Sequence, residues 1–297
     1  MDPLTLAHPL APHETFVLDH FDGSPQEEVF AVGDVHGRLD LARAMLDTVG
    51  SVPRVPGMPR RLVFLGDLTD RGPHGVRVID LVRKAGNALG HPVDALMGNH
   101  DMMLAIVTDG SVPASVRTWY LDLWLANGGD AVLDELARLG DDIDYAAPDA
   151  PDRLADALGA ERVAWLRAMP ARYEPPGGDV MLVHAGIHPY VSPEETFALG
   201  WRDHATTDIP GSRSWAWVRE PFLDYKPSRS TGKRGHHGRF VVHGHTPQDG
   251  IRLPLGEMVG RDRLNLDAMA FRTGRLRGAR ILGNHVQVFE VTAPARD

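Results

Sequence analysis

The segment RLVFLGDLTDRG, residues 61–72, begins as an apolar run and ends in charged residues. The apolar run is typical of a buried strand, and Gly66 and Asp67 end it. An upstream segment, EEVFAVGD (27–34), has the same design, because its apolar run also ends in Gly-Asp. The two segments therefore predict two buried strands, each followed at once by an acidic residue.

Helical patterns follow both strands. The stretches 37–50 and 75–86 carry apolar residues at helical spacing, and PVDALMG (92–98) predicts a third strand. A chain that alternates strands and helices in this way favours parallel strands joined by right-handed crossovers. The first third of the chain therefore predicts an α/β fold.

The rest of the chain no longer alternates strands and helices. Residues 100–170 are predicted to be mostly helical, with Trp119, Trp124 and Trp165 in the core, and residues 189–238 to be irregular. Five further strands are predicted, at 179–185, 239–245, 263–269, 275–282 and 285–291. Together with the first three they favour one α/β domain with two stacked sheets, spanning residues 28–293, preceded by an N-terminal arm at residues 1–27.

Composition excludes several classes of function. The chain has 297 residues, a net charge of -9 and no cysteine, so disulfides, thiolate metal sites and cysteine nucleophiles are ruled out. An acidic protein is a poor candidate for non-specific nucleic-acid binding. Neither a run of about 20 apolar residues nor a secretory signal is found, which predicts no membrane association and a cytoplasmic protein.

Polar side chains stand at the ends of five predicted strands. Since the ends of parallel strands meet in one crevice of an α/β sheet, we expect these side chains to share a site. They are Asp34 with His36, Asp67 with Asp70 and Arg71, Asn99 with His100, His184, and His245.

The residue types at these strand ends indicate a metal site. Carboxylate, amide and imidazole groups are ligands suited to Mn, Fe or Zn. One carboxylate can bridge two ions, and Asp67 is the natural choice because its strand lies in the middle of the predicted order. Two metals about 3.5–4 Å apart can ionise a bridging water and neutralise charge on a phosphoryl group.

His100 is better suited to proton transfer than to metal binding, because it cannot easily bind the same metal as its neighbour Asn99. As a general acid it would protonate the leaving oxygen, a contribution of typically about 100- to 10,000-fold. Asp70 could accept a hydrogen bond from its other nitrogen, and Arg71 could fork onto phosphate oxygens.

Five short motifs carry a family resemblance. The sequence resembles the calcineurin-like metallophosphoesterases from about residue 28 to 291, and more closely their phosphoprotein-phosphatase branch. That branch includes bacterial serine/threonine protein phosphatases and symmetrical diadenosine tetraphosphatases. The motifs are GDVHG (33–37), GDLTDRG (66–72), GNHD (98–101), HAG (184–186) and HGHTP (243–247).

The resemblance implies a fold of two stacked mixed β-sheets flanked by helices, with two divalent metal ions bound, Mn favoured and Fe or Zn compatible. It implies that the first metal is held by Asp34, His36 and Asp67, and the second by Asp67, Asn99, His184 and His245. His100 would be the acid, with Asp70 behind it.

Two further segments are similar to bacterial members of the branch. WVREPFL (217–223) resembles the segment that supplies a second phosphate-binding arginine, here Arg219, which would act beside Arg71 and Asn99. WLANGGD (124–130) resembles the bacterial protein-phosphatase-like subgroup. His243 is interpreted as a supporting or core residue, because the resemblance assigns ligation to His245.

Three positions depart from related patterns. Pro247 replaces the last histidine of a Gly-His-x-His motif, which favours the phosphoprotein-phosphatase branch. Asp101 stands where that branch usually has Glu, and LDAMAF (266–271) replaces a usual Asp-Thr-Gly-Ala run in the pocket wall. The basic stretch 226–239 is either a solvated loop or a positive rim for anionic substrate, with Lys233 and Arg234 its test positions.

The sequence thus predicts a dinuclear metal-dependent phosphoester hydrolase that uses a metal-bridging hydroxide and His100 as general acid. A serine/threonine protein phosphatase acting on phosphoproteins is the favoured reading. Symmetrical hydrolysis of bis(5'-nucleosyl) tetraphosphates is the alternative, and a non-catalytic phosphate-binding protein is a third reading. The oligomeric state is left open.

Overall fold

Two β-sheets lie face to face at the centre of the chain. The computed structural model describes residues 13–18, 26–177, 179–226, 236–247, 255, 259–260 and 262–293. Within them the larger sheet has six strands: β1 (His13–Val17), β2 (Glu28–Val32), β3 (Arg60–Phe64), β4 (Val93–Ala95), β9 (Arg275–Leu282) and β10 (His285–Thr292). The smaller has four: β5 (Arg172–Tyr173), β6 (Val180–Val183), β7 (Phe240–His243) and β8 (Arg263–Asn265).

The strand order explains why polar groups meet. The larger sheet runs β1-β10-β9-β2-β3-β4, with β2, β3 and β4 parallel to one another. The smaller sheet runs β5-β6-β7-β8, and here β6, β7 and β8 are parallel. Parallel strands end on the same side, so each sheet delivers three carboxyl ends to one edge.

Helices cover the outer face of the larger sheet and connect its strands. The longer ones are α1 (Leu39–Ser51), α2 (Gly75–Leu89), α3 (Asn99–Val107), α4 (Ala114–Trp124), α5 (Asp130–Leu139), α6 (Ala150–Leu158) and α7 (Ala160–Arg167). A π-helical turn, Leu125–Gly129, joins α4 to α5. Short helical segments follow at α8 (Pro193–Thr196), α9 (Asp203–Thr206), Gly211–Arg213 and α10 (Ala270–Thr273).

The core follows the two-residue alternation of the strands. Val63 and Leu65 point between the sheets, where they share a core with Leu182 and Val242 of the smaller sheet. Residues of the opposite parity, such as Phe64, point outwards into the core that the helices cover. The predicted fold of two stacked mixed sheets flanked by helices is confirmed.

Two expectations differ from the structure. Residues His13–Val17, within the predicted N-terminal arm, form an edge strand that pairs antiparallel with β10, a strand that the sequence did not predict. Trp119 is 58% exposed rather than in the core, because neighbours on a helix face different directions and Tyr120 takes the inward position. Trp124 is buried and Trp165 half-buried, while the domain division at residue 28 stays a prediction.

None of the helices in the described ranges is both long enough and apolar enough to span a lipid bilayer.

Candidate metal centre

The polar residues predicted to share a site follow the parallel strands of both sheets, and two contacts join the sheets there. His184, directly after β6, uses Nδ1 to donate to the carbonyl oxygen of Leu65, which follows β3, at 2.9 Å. The backbone N–H of His245, shortly after β7, donates to Asp34 Oδ2 at 3.0 Å. The strand ends of both sheets therefore form one site.

Backbone strain is concentrated at this site. Seven non-glycine residues within the described ranges have positive φ, and five of them are predicted site residues. Such conformations are costly for residues with a side chain and persist where surrounding contacts enforce them, often at functional sites. The five are His36, Asp67, Asp70, Arg71 and His245, with φ between 44° and 70°.

Two glycines allow the carboxylates to lie against the backbone. A Cβ atom on Gly98 would stand 2.1 Å from Asp67 Oδ1, and one on Gly244 would stand 1.9 Å from Asp34 Oδ1. Neither position can hold a larger residue without moving the carboxylate. The glycines of the GNHD and HGHTP motifs therefore have a steric role in placing Asp67 and Asp34.

Asp67 lies between two groups of side chains, each of which brings its nitrogen and oxygen atoms within 4.8 Å of one another. The first group is His36, Asp67 and His100, and the second is Asp67, His184 and His245. All of these side chains are buried. Asn99 joins the second group, because its Oδ1 lies 3.1 Å from His184 Nε2 and 2.9 Å from His245 Nδ1.

The donors of the second group fit a cation. Since His184 Nδ1 donates to a carbonyl oxygen, its Nε2 carries a lone pair, and burial lowers the pKa of this imidazole so that it is neutral at pH 7. That lone pair faces two acceptors, Asp67 Oδ1 at 3.4 Å and Asn99 Oδ1 at 3.1 Å. Ligands of one ion at about 2.1 Å are separated by roughly 3 Å, so a divalent cation among these atoms would satisfy all three.

The first group has the same chemistry around His36. Its Nδ1 donates to the carbonyl oxygen of Thr69 at 2.9 Å, and its Nε2 lies 3.6 Å from Asp67 Oδ2. Burial and the nearby charge of His100 lower the pKa of His36 to about 3. A neutral imidazole with its lone pair on Nε2 is the form that binds metals.

Carboxylates crowd the site. Burial, followed by the charges of Asp267 and Asp67, raises the pKa of Asp34 well above its ordinary value. The pKa of Asp67 is lowered instead, because its interactions with the surrounding imidazoles outweigh the opposing effect of burial. Bound cations would offset the crowding. Asp34 accepts the His245 N–H and lies outside both groups of three.

His100 and Asp70 form a buried pair. His100 Nδ1 donates to Asp70 Oδ2 at 2.7 Å, so the imidazole keeps Nε2 turned towards the metal groups. Burial lowers the pKa of His100, but the negative charges of Asp67 and Asp70 outweigh it and raise the pKa above 6.5. A raised pKa favours the protonated imidazole, the form that a general acid requires.

The three predicted phosphate ligands are placed differently. Asn99 belongs to the second metal group, whereas Arg71 is exposed and directs its Nη1 to His36 Nε2 at 3.0 Å and its Nη2 to His100 Nε2 at 2.9 Å. Arg219 is exposed, and its charge adds to the effect of burial in lowering the pKa of His184 and His245. Lys233 and Arg234 of the basic stretch lie outside the described residues.

His243 is fully buried beneath the site. Its Nδ1 donates to the carbonyl oxygen of Gly244 at 3.0 Å, and its ring meets Phe222 edge-on with centroids 5.0 Å apart. Burial lowers its pKa to about 3. These contacts agree with the interpretation of His243 as a supporting residue.

Four residues contribute more than the sequence indicated. Asp101 accepts the backbone N–H groups of Asp67 at 2.7 Å and Gly98 at 3.1 Å, so it ties two ligand loops together. The GNHD motif brings Asp101 to the site but does not by itself indicate this function. Asp267, within the LDAMAF segment, is a third buried carboxyl beside Asp34, and Phe271 of the same segment packs against His36 and Arg71.

The fourth is Trp124, which was predicted only as core. Its indole Nε1 donates to Asp70 Oδ1 at 2.9 Å. The signal available in the sequence was its position at the start of WLANGG, a segment already set apart by resemblance.

This geometry belongs to a known class of proteins. The family model for calcineurin-like phosphoesterases matches residues 28–271, and the chain belongs to that family. The resemblance drawn from the five motifs is therefore confirmed.

Two curated relatives carry the same name. The chain is 32% identical over 172 residues to a protein of Acidovorax ebreus (strain TPSY) called bis(5'-nucleosyl)-tetraphosphatase, symmetrical; the match covers 57% of this chain and 48% of the relative. A protein of the same name from Dechloromonas aromatica (strain RCB) is 28% identical over 195 residues, with 65% and 56% covered. The chain spans about half the length of the curated relatives it matches.

Among solved structures, a cold-active protein-tyrosine phosphatase of a psychrophilic Shewanella species superposes with a TM-score of 0.51. The alignment covers 90% of this chain and 80% of the other, at 19% identity. At that identity the likeness concerns the fold.

Proposed function

We propose that this protein is a dinuclear metal-dependent phosphoester hydrolase with His100 as its general acid. The observation that carries the proposal is the shared carboxylate of Asp67, which belongs to both groups of buried ligand atoms. One ion would be held by Asp34, His36 and Asp67. A second would be held by Asp67, Asn99, His184 and His245.

Hydrolysis forms one P–O bond to a water oxygen and breaks the P–O bond to the leaving oxygen, which then needs a proton. Two bound divalent cations would lower the pKa of the attacking water and neutralise charge on the phosphoryl oxygens. The proton for the leaving oxygen is held at His100 Nε2, while Asp70 Oδ2 fixes Nδ1 and therefore the direction of the ring. No side chain needs to accept the phosphoryl group.

Arg71 and Arg219 supply positive charge for the phosphate. Because the Arg71 side chain is exposed, its guanidinium can turn from the His36 and His100 nitrogens towards a bound phosphate without opening the core. An arginine fork can donate two parallel hydrogen bonds to phosphate oxygens. Turning Arg71 away also frees His100 Nε2 for the leaving oxygen.

Two substrate classes fit this chemistry. The WLANGG and WVREPFL segments favour phosphoserine and phosphothreonine in proteins, through their similarity to bacterial protein phosphatases. The curated relatives favour dinucleoside tetraphosphates, since that substrate is part of their name. Mn fits the oxygen and imidazole donors, and Fe and Zn are compatible with them too.

The deciding experiment compares specificity constants in one Mn-containing buffer. A phosphoserine or phosphothreonine peptide and diadenosine tetraphosphate are offered in turn, with Asp67→Asn as the blank. A preference of about tenfold or more for the peptide supports a protein phosphatase. A preference for the dinucleotide, with a nucleoside diphosphate as the only nucleotide product, supports symmetrical tetraphosphate hydrolysis.

Two outcomes would overturn the proposal. One is a protein that binds two metal ions per chain and hydrolyses no phosphoester, which would make it a phosphate-binding protein. The other is a covalent phosphohistidine or phosphoaspartate trapped during turnover, because the proposed mechanism transfers the phosphoryl group directly to water.

The acid role of His100 has its own test. Replacement of His100 by Ala should reduce turnover strongly on alkyl phosphates, whose leaving oxygens need a proton, and less on aryl phosphates. Equal losses on both classes would exclude His100 as the acid.

A further inference from the structure

The π-helical turn at residues 125–129 packs with Trp124 against Asp70 and Arg71. The backbone N–H of Arg71 donates to the carbonyl oxygen of Gly128 at 2.8 Å. Trp124 Nε1 donates to Asp70 Oδ1 at 2.9 Å. One segment therefore contacts both the partner of the acid and the arginine next to it.

Asp70 is held on both of its oxygens. Oδ2 accepts from His100 Nδ1 and Oδ1 accepts from the indole, and all three side chains are buried. A buried carboxylate oxygen that loses its donor becomes costly and turns to find another. Trp124 thus determines the orientation of the carboxylate that in turn orients the His100 ring.

The turn and the indole behave as one unit. A Cβ atom on Gly129 would stand 2.3 Å from the Trp124 ring, so the glycine lies flat against the indole. Gly128 has φ 100°, and a Cβ there would stand 2.8 Å from Arg71 Cγ. Gly128 is not helical, so the chain kinks there between α4 and α5, and the kink carries the Gly128 carbonyl to Arg71.

Asp70 and Arg71 need such support. Both have left-handed backbones, with φ 70° and 63°, which are unfavourable for residues with a Cβ. The contacts with Gly128 and Trp124 join these two residues to the α4–α5 connection, more than 50 residues further along the chain. The left-handed pair is therefore held from outside its own loop.

We infer that Trp124 is a positioning residue for the His100–Asp70 pair, and that the Gly128 carbonyl positions Arg71 for the substrate phosphate. The inference rests on the proposed phosphoester hydrolysis. Its two parts predict different kinetic effects, because Trp124 acts on the proton donor and Gly128 acts on a phosphate ligand.

The experiment compares Trp124→Phe with Trp119→Phe. Trp119 lies on the same helix, is 58% exposed and has no place in the site, so it controls for the loss of an indole. With an alkyl and an aryl phosphate as substrates, Trp124→Phe should lower kcat on the alkyl phosphate by about 10- to 100-fold, the usual effect of losing a supporting hydrogen bond. Its KM and its aryl phosphate turnover should change less than about threefold.

Gly128→Ala is the second variant. The added methyl group displaces Arg71, so we expect KM to rise on both substrates while the ratio of alkyl to aryl turnover stays that of the wild type. A Trp124→Phe protein with the kinetics of Trp119→Phe, or with equal losses on both substrates, would overturn the assignment of Trp124. If Trp124→Phe does not fold, an unchanged KM in Gly128→Ala overturns the shared positioning role.

These outcomes are separable from failure of the proposed function. A wild-type protein that hydrolyses no phosphoester removes the proposed function. A wild-type protein that hydrolyses both substrates, with variants that behave like Trp119→Phe, removes only the positioning role.

Discussion

Strand β2 carries a buried carboxylate at its start and another just beyond its end, and the two carboxylates have opposite surroundings. Glu28 opens the strand between two guanidinium groups. Arg60 Nε donates to its Oε2 at 2.6 Å, and Arg280 Nε donates to its Oε1 at 2.7 Å. Arg60 also donates to the carbonyl oxygens of Val52 and Pro53, so the charges at this end are matched by hydrogen bonds.

Beyond the other end of β2, buried carboxylates lie close to one another. Burial, followed by the nearby carboxylates of Asp267 and Asp67, raises the pKa of Asp34. An imidazole lone pair at His184 faces acceptors instead of donors. Burying unmatched charge is costly, so a fold keeps it where something else is bound. The Glu28 cluster therefore stabilises the fold, whereas the cluster around Asp67 has the donors of a cation-binding site.

The largest effect expected from this contrast is the loss of activity in Asp67→Asn. The change removes the shared carboxylate and should lower kcat/KM by about ten-thousandfold, equivalent to roughly 5 kcal/mol of transition-state stabilisation. The loss has a direct cause, because Asn lacks the charge that two neighbouring ligand groups share through Asp67. Steady-state kinetics of the variant and the wild type in one Mn-containing buffer measures it.

An Asp67→Asn protein whose kcat/KM stays within about tenfold of the wild-type value would contradict the contrast. It would mean that Asp67 mainly supports the fold, through its bond from the His100 N–H.

Glu28→Gln should lower the stability of the protein and leave its activity nearly unchanged. Removing the negative charge leaves two buried guanidinium groups with a neutral partner, a change that typically costs about 3–5 kcal/mol. The folded fraction should keep kcat/KM within about twofold, since Glu28 stands at the far end of the strand from the site. Urea unfolding measures the loss of stability, and kinetics at urea concentrations below the unfolding transition measures the activity of the folded protein. A Glu28→Gln protein that is stable but inactive would refute the prediction.

The two ends also differ in how far the sequence could predict them. The ligand end was accessible because each strand finishes in a short motif, and parallel strands bring their carboxyl ends together. Asp67 could be placed between two ligand groups from strand order alone. The Glu28 cluster was not predicted, because Arg280 lies about 250 residues away and nothing local marks it as a partner.

Within the site, what the sequence missed depends on three-dimensional contacts. The left-handed backbone of Asp70 and Arg71 cannot be read from residue types that rarely adopt it. The bond from Trp124 joins two segments 54 residues apart. Asp267 lies near Asp34 because β8 carries it to the same edge, and its register depends on the smaller sheet, which the sequence outlined only roughly.

The smallest effect concerns pH, and it tests whether carboxylate crowding is real. Burial and the charge of Asp67 raise the pKa of Asp267 from 3.8 to about 6. Between these values the folded chain holds a proton that the unfolded chain has released, so stability falls as pH rises through this window. The contribution is complete below pH 3.8 and lost above pH 6, with a ceiling of about 3 kcal/mol.

In chelated protein, Asp267→Asn should therefore make the unfolding free energy less dependent on pH over this range than it is in the wild type. Added Mn should flatten the wild-type curve as well, because a bound cation favours the ionised carboxylates. If the chelated wild type and variant give parallel curves, Asp267 does not take part in the crowding, and the imbalance at this end of β2 is confined to Asp34 and Asp67.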